Sequence, residues 1–421
     1  MPMMGLRPEQ GPPLSVPASF FLTAPLALAA AGVLLLVRGA EGGGTLWGPT
    51  SVAVVHFGTV GMLLFVMLGA LYQLLPVVAG AVVPWVRLAH GVHALLVAGG
   101  AALIYGQATG EPRAFGAAAA LLTVAVLLFL VPAAVAVLRS QAKGATALGL
   151  SLGLAALAAV VFAGLRLSLA RGGHTEEAGF LSLRAAHAHL GFLTWVGGLI
   201  TSVSWQVLPM FFLTPSPPVA VPGLTQGGVA LTLLGLGVAL FGVPPGTVAF
   251  LAAPGALAVW GLQPGWALVA MRARKRKRKD PTLWFWWLGM GLAPACLLLG
   301  AATAWLDDER WPLLYGLVVL WGWAGAVVHG MLLRIVPFLV WLHRCAPLIG
   351  KARMPSAKEL LPDAEVTVGF ALHVLTLAVG LAAVLLRTAL AWRTFGAALL
   401  VTGAWLGWVL TSAIRRAKPK T

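Results

Sequence analysis

The chain has 421 residues, of which 60% are hydrophobic and only 10% charged, with a formal net charge of +16. A soluble domain has about 25% charged residues and a smaller apolar share, so this balance excludes a soluble globular enzyme and a disordered chain alike. The solvent it fits is a lipid bilayer.

At about 1.5 Å of rise per residue, crossing about 30 Å of hydrocarbon takes about 20 apolar residues. In chain order the stretches that qualify are 18–38, 52–82, 88–107, 114–138, 145–168, 187–213, 224–243, 247–270, 283–305, 312–341, 366–386 and 394–414. They predict an all-α polytopic membrane bundle of about twelve transmembrane helices, a single integral membrane domain over 1–421. The start, MPMMGLRPEQGPPLSVPASFF, has neither a basic segment beside a short apolar core nor a small-residue cleavage site, so the first span is expected to stay.

Lys and Arg fall unevenly between the spans. One set of connections holds Arg7, Arg87, Arg139 with Lys143, the run RARKRKRK at 272–279, Arg344 with Lys351, Arg353 and Lys358, and the tail Arg415, Arg416, Lys418 and Lys420. The other set holds Arg38, Arg113, Arg171, Arg184, Arg310, Arg387 and Arg393, together with the acidic clusters Glu176-Glu177 and Asp307-Asp308-Glu309. By the positive-inside rule the first set is cytoplasmic, with both termini and the loops 271–280 and 342–365, in a bacterial-type inner membrane. The basic run then faces anionic lipid, and no nucleic-acid partner is expected. Cys296 and Cys345 have neither metal-site spacing nor a disulfide role.

Two spans repeat each other. Residues 56–76 read HFGTVGMLLFVMLGALYQLLP, and 189–209 read HLGFLTWVGGLITSVSWQVLP. His56 matches His189, Gly58 matches Gly191, Tyr72 matches Trp205, Gln73 matches Gln206, and both segments close on a proline at the same offset from the histidine, Pro76 and Pro209. Four spans later the tenth again ends on Ile335-Val336-Pro337, and the steps from Pro76 to Pro209 and from Pro209 to Pro337 are nearly equal. The period predicts three four-helix units, roughly 18–138, 145–270 and 283–414, around a pseudo-threefold axis lined by the second, sixth and tenth spans. Aligned on its proline, the third copy has Leu317 in place of the histidine, and its own His329 comes about three helical turns later.

An imidazole at lipid depth needs a partner and marks a functional site. Neutral imidazole ligates haem iron and copper; the plainer alternative is a histidine hydrogen-bonded across helices or wetted at the interface. His187 and His189 sit about 200° apart on a helix, so at most one of them faces the centre. His90 and His93 share a face of the third span and read as an interfacial pair, His373 lies in the eleventh span, and His174 and His343 fall in connections. Arg334, one turn before Pro337, reads as snorkelling, with a haem propionate as the sharper alternative. Trp284, Trp286, Trp287, Trp311, Trp321 and Trp323 read as interfacial and packing residues. Gly58 and Gly191 leave room for close helix approach or for a flat cofactor.

With its twelve spans, three four-helix units and histidines on the second, sixth and tenth spans, the chain resembles subunit I of the haem-copper oxidases and their divergent relatives, including NnrS-type proteins of nitric oxide metabolism. The resemblance implies a b-type haem, with copper as a second metal, and a role in electron transfer or oxygen and nitric oxide chemistry beside a redox partner or membrane subunit. Residue by residue, it implies His56 as the second-span haem ligand, His187 or His189 as the sixth-span metal ligand, and His329 as the tenth-span ligand.

The departures are equally specific. The seventh span, GLTQGGVALTLLGLGVALFGV, has no histidine, so the family's three-histidine copper site is missing. The tenth span has one histidine rather than an alternating pair, the region of the family's cross-linked tyrosine reads Leu193-Thr194-Trp195, and no Asp or Glu lies within a predicted span. Proton-pumping oxygen reduction is therefore not expected, and no catalytic residue is assigned. A histidine-lined transporter or metal permease stands as the alternative function, and a membrane assembly subunit with a decayed redox site as a third.

Overall fold

The computed structural model describes residues 11–39, 41, 44–78, 80, 82–140, 144–275 and 277–418. Arg7, Lys143, Arg276 and Lys420, four of the cations used for topology, lie outside the described residues. The protein is an all-α polytopic bundle, with no strand among the described residues. Twelve helices are long and apolar enough to cross a membrane: α1 Ser15–Arg38, α2 Pro49–Pro76, α3 Leu88–Thr109, α4 Pro112–Arg139, α5 Ala145–Arg171, α6 Phe180–Phe212, α7 Ala220–Ala239, α8 Gly246–Arg272, α9 Pro281–Trp305, α10 Arg310–Leu348, α11 Asp363–Leu386 and α12 Ala389–Arg416.

Each expected span falls on one of these helices, and the differences have local causes. The helix of α2 runs on to Val78 and goes no further, because the chain turns at Gly80 with φ +64°, a conformation that favours glycine. Helix α6 begins at Phe180 rather than 187. Its first turns, FLSLRAA, are good helix formers whose Arg184 breaks the hydropathy without breaking the helix. Ahead of α10, Asp308 accepts from the Arg310 backbone N–H at 2.8 Å and from its guanidinium, which pulls the carboxyl down to about 2.

The described chain forms two compact units that cut across the repeat. One comprises residues 1–77, 279–289 and 306–421, hence α1, α2, α10, α11, α12 and the start of α9; the other comprises 78–278 and 290–305, hence α3 to α8 and the rest of α9. In the first unit α1 and α12 meet backbone to backbone. A Cβ on Gly32 would lie 2.5 Å from the Gly396 carbonyl, and one on Gly403 would lie 2.7 Å from the Pro25 carbonyl, so only glycine permits this approach. In the second unit α5, α6, α7 and α8 share a core that includes Ala163, Leu183, Leu190, Leu236 and Val248. Both cysteines are free and buried.

The three spans that end on equally spaced prolines share a backbone feature. Helices α2, α6 and α10 each contain a stretch of π-helix, at Phe57–Leu64, Leu190–Val196 and Val318–Gly325. The residues just before these stretches are His56, His189 and Leu317, each at the same offset from its proline. The proline alignment therefore sets the three π stretches in one register along their own helices. Two shorter π segments, Ala258–Leu262 in α8 and Trp341–Cys345 in α10, lie outside this pattern.

Candidate histidine sites

His56 and His189 are held alike. In each, Nδ1–H donates to the carbonyl one turn back on its own helix, His56 to Val52 and His189 to Ala185, both at 2.8 Å. A carbonyl can only accept, so the proton is fixed on Nδ1 and the lone pair on Nε2. Neither Nε2 has a hydrogen bond among the described residues, and both side chains are half-buried. Such a tautomer lock is the usual support of a ligating histidine. The π-helix beginning at the next residue widens the helix where the ring leaves it, and π segments concentrate at functional sites.

His187 is placed differently. Its Nδ1 lies 3.1 Å from the Val160 carbonyl on α5, and its ring rests where a Cβ on Gly164 would reach. It is the cross-helix histidine of the pair, which leaves His189 as the sixth-span ligand candidate. The two glycines also part company. A side chain on Gly58 would strike Leu320 Cδ2 at 2.7 Å, so helix packing fills that space, whereas a Cβ on Gly191 would meet nothing within 4 Å.

In α10 the imidazole has moved along the helix and gained a partner on α11. His329 and His373 are both fully buried, with their Nδ1 atoms 3.2 Å apart. His373 Nε2 lies 3.2 Å from the Trp321 carbonyl, and the Trp321 indole N–H donates to the His373 carbonyl at 3.1 Å. The Trp321 ring stacks on His373 with centroids 4.3 Å apart. This arrangement fixes every proton. His373 donates from Nε2, so its Nδ1 accepts; His329 donates from Nδ1, so its Nε2 carries a lone pair. That Nε2 is buried and has no partner among the described residues, an omission that costs about 1–3 kcal/mol unless something binds there. Phe285 closes the array, its ring centroid 4.8 Å from His329 and 5.6 Å from His373.

In the sequence His373 is one more histidine of an apolar span, and Trp321 reads as an interfacial or packing residue. The available signal was polarity: two imidazoles in consecutive apolar spans, each needing a partner that its own span lacks. Arg334 stands at the same offset from its proline as Gln73 and Gln206 and pairs with Asp280 at 3.2 Å. Of the other histidines, His90 is exposed, His174 Nε2 lies 3.3 Å from the Pro112 carbonyl, and His343 lies between the carbonyls of Leu339 and Pro12.

Register decides which histidines of the first unit can share a ligand. Helix α2 runs antiparallel to α1, α1 to α12, α12 to α11 and α11 to α10, as the pairs Gly61–Ala27, Gly396–Gly32, Thr376–Thr402 and Gly380–Leu317 show with their neighbours. Helices α2 and α10 are therefore parallel and are level where Leu320 fills the side of Gly58. His56 precedes that level by half a turn and His329 follows it by two and a half turns, which separates them by about 16 Å along the axis. Axial nitrogens on one iron lie about 4 Å apart, so His56 and His329 do not hold one haem between them. His189 belongs to the other unit. No group of three or more His, Cys, Asp or Glu side chains that could hold a metal ion occurs among the described residues. No family model matches the chain, and no curated protein matches it.

Proposed function

We propose that this membrane protein is a haem-binding protein of the haem-copper oxidase subunit I type, with copper as a second metal, acting in redox or nitric oxide and oxygen metabolism in an inner membrane. The carrying observation is a shared presentation: His56, His189 and His329 each spend Nδ1–H on a fixed acceptor and keep the Nε2 lone pair, the donor that haem iron and copper take. The donor chemistry of these residues fits such a group, and the open space beside Gly191 fits a flat one. His56 and His189 are each suited to hold it, with His329 a separate donor in the interior of the first unit. A bound haem would supply a redox-active iron able to take a diatomic ligand.

The test is the visible spectrum of the purified protein. The expected result is a Soret band that His56→Ala or His189→Ala removes while membrane insertion persists, since apolar runs and not one imidazole drive insertion. His174→Ala, in a connection, should leave the spectrum unchanged. A colourless protein from cells with ample haem and metal, or full haem in both variants, sinks the reading and moves the histidine-lined transporter ahead. Reporter fusions should place 272–279 and both termini in the cytoplasm; an outward 272–279 would reverse every depth argument.

A further inference from the structure

The two ends of the first unit dispose of their charges differently. At the end where α1 finishes and α10 begins, Arg38 pairs with Glu41 and Arg310 with Asp308. At the end where α10 and α12 finish and α11 begins, the carboxylates of the connection 349–365 are all engaged. Glu359 accepts from the Ser356 backbone N–H at 2.7 Å, Asp363 pairs with Lys358 at 2.6 Å, and Glu365 holds Arg416 through both of its oxygens. Lys351, Arg353, Arg415 and Lys418 are exposed and have no carboxylate partner among the described residues.

Hydrogen bonds gather these cations at one place. Arg344 donates to the Ile414 carbonyl at 3.0 Å, Arg416 to the Leu360 carbonyl at 3.2 Å, and the Trp405 indole to the Glu365 carbonyl at 3.2 Å. The connection is thus fastened to α12 on both sides of Lys351 and Arg353. Between those fastenings the chain makes a turn of 3₁₀-helix at Ala346–Leu348 and then a bend at Gly350, whose φ of +81° favours glycine. The backbone N–H groups of Lys351 and Ala352 both donate to the Leu348 carbonyl, which fixes the turn and leaves Ile349 63% exposed next to the two cations. Depth is marked by Trp408 of α12, a half-exposed indole of the kind that sits at the membrane boundary. Arg415 follows it about 10 Å further along the helix.

We infer that this end of the first unit is a binding surface for an anionic phospholipid, its headgroup phosphate drawn by Lys351, Arg353, Arg415 and Lys418 and its acyl boundary met by Ile349. Cations without carboxylate partners at headgroup level attract anionic lipid, and an exposed aliphatic side chain among them is stabilised by leaving water. A free phosphate would use the cations alone and give Ile349 nothing. The surface is separate from the basic run at 272–278, which belongs to the other unit. Neither the histidines nor the direction in which the chain crosses the membrane enters this inference, so it stands or falls apart from the haem reading.

The probes are dioleoyl phosphatidylglycerol and phosphatidylcholine with the same chains, titrated into the full chain in neutral detergent and counted as bound lipid by native mass spectrometry. Phosphatidylglycerol should bind the more tightly. Lys351→Gln with Arg353→Gln should weaken it by about fivefold per cation removed, and Arg415→Gln with Lys418→Gln by a similar factor, while phosphatidylcholine binding holds. All four positions are exposed, and the second pair keeps the test open if the first fails to fold. Ile349→Ser should weaken both lipids. Arg113→Gln, in a different connection, should change neither. Equal binding of the two lipids by the parent protein, undiminished phosphatidylglycerol binding in both double variants, or an equal loss in Arg113→Gln would overturn the proposal. So would displacement of the lipid by inorganic phosphate, or indifference to Ile349→Ser, since either would reduce the surface to a site for free phosphate.

Discussion

Helices α2 and α10 carry the same backbone device and use it differently. Both bear a π-helical stretch that begins at the same offset before a proline, but α2 places a histidine at its threshold and α10 places Leu317. In α2 the imidazole is anchored to its own helix at Val52. In α10 the imidazole lies beyond the π-helix and is anchored to another helix through His373, while Trp321, inside the π-helix, completes the clasp. A repeat can thus keep a helical irregularity while the chemistry attached to it shifts by several turns. One consequence is energetic: an imidazole tied to its own helix adds little to tertiary stability, and one tied across helices adds more.

The largest expected effect follows from that contrast. His373→Leu strands the Nδ1–H of His329 in a dry interior and should destabilise the protein by about 1–3 kcal/mol in detergent unfolding. The double variant His329→Leu with His373→Leu should lose less than the sum of the two single losses, because each single change orphans its partner. Additive losses would mean that the two rings are not coupled.

A middle effect is expected from Trp321→Phe, which keeps an aromatic face on His373 but deletes the hydrogen bond to its carbonyl; the loss should be about 0.5–1.5 kcal/mol. The smallest effect belongs to the α2 and α6 histidines. His56→Ala and His189→Ala remove bonds made within one helix by half-buried rings, and in cofactor-free protein each should cost less than about 1 kcal/mol. If His56→Ala destabilises as much as His373→Leu under those conditions, the distinction between the two anchoring modes is wrong.

The spans were legible because hydropathy acts locally: an apolar run of sufficient length has little choice but a helix, and Pro76, Pro209 and Pro337 each stand at one offset from the start of a π stretch in their own helix. The π segments were not legible, since they arise from how a helix distributes one surplus residue among its turns, and no residue type requires them. His373 was hidden for a related reason. Its role exists only once α10 and α11 are side by side, and its own span reads as uniformly apolar. His187 and His189 could be separated by angle but not assigned, because that choice depends on Val160 of α5.

The glycine contact between α1 and α12 also sets an order of events. Gly32 and Gly396, whose backbones touch, come from the first and last spans of the chain. At about 5–20 residues per second of synthesis, α1 waits roughly 20–70 s for its partner. During that interval α3 to α8, nearly continuous in the chain, can associate among themselves, while the small-residue face of α1 meets lipid or the insertion machinery. The unit holding the His329–His373 pair is therefore the later of the two to close, and a ribosome stalled before residue 389 would leave it open on the side that α12 covers.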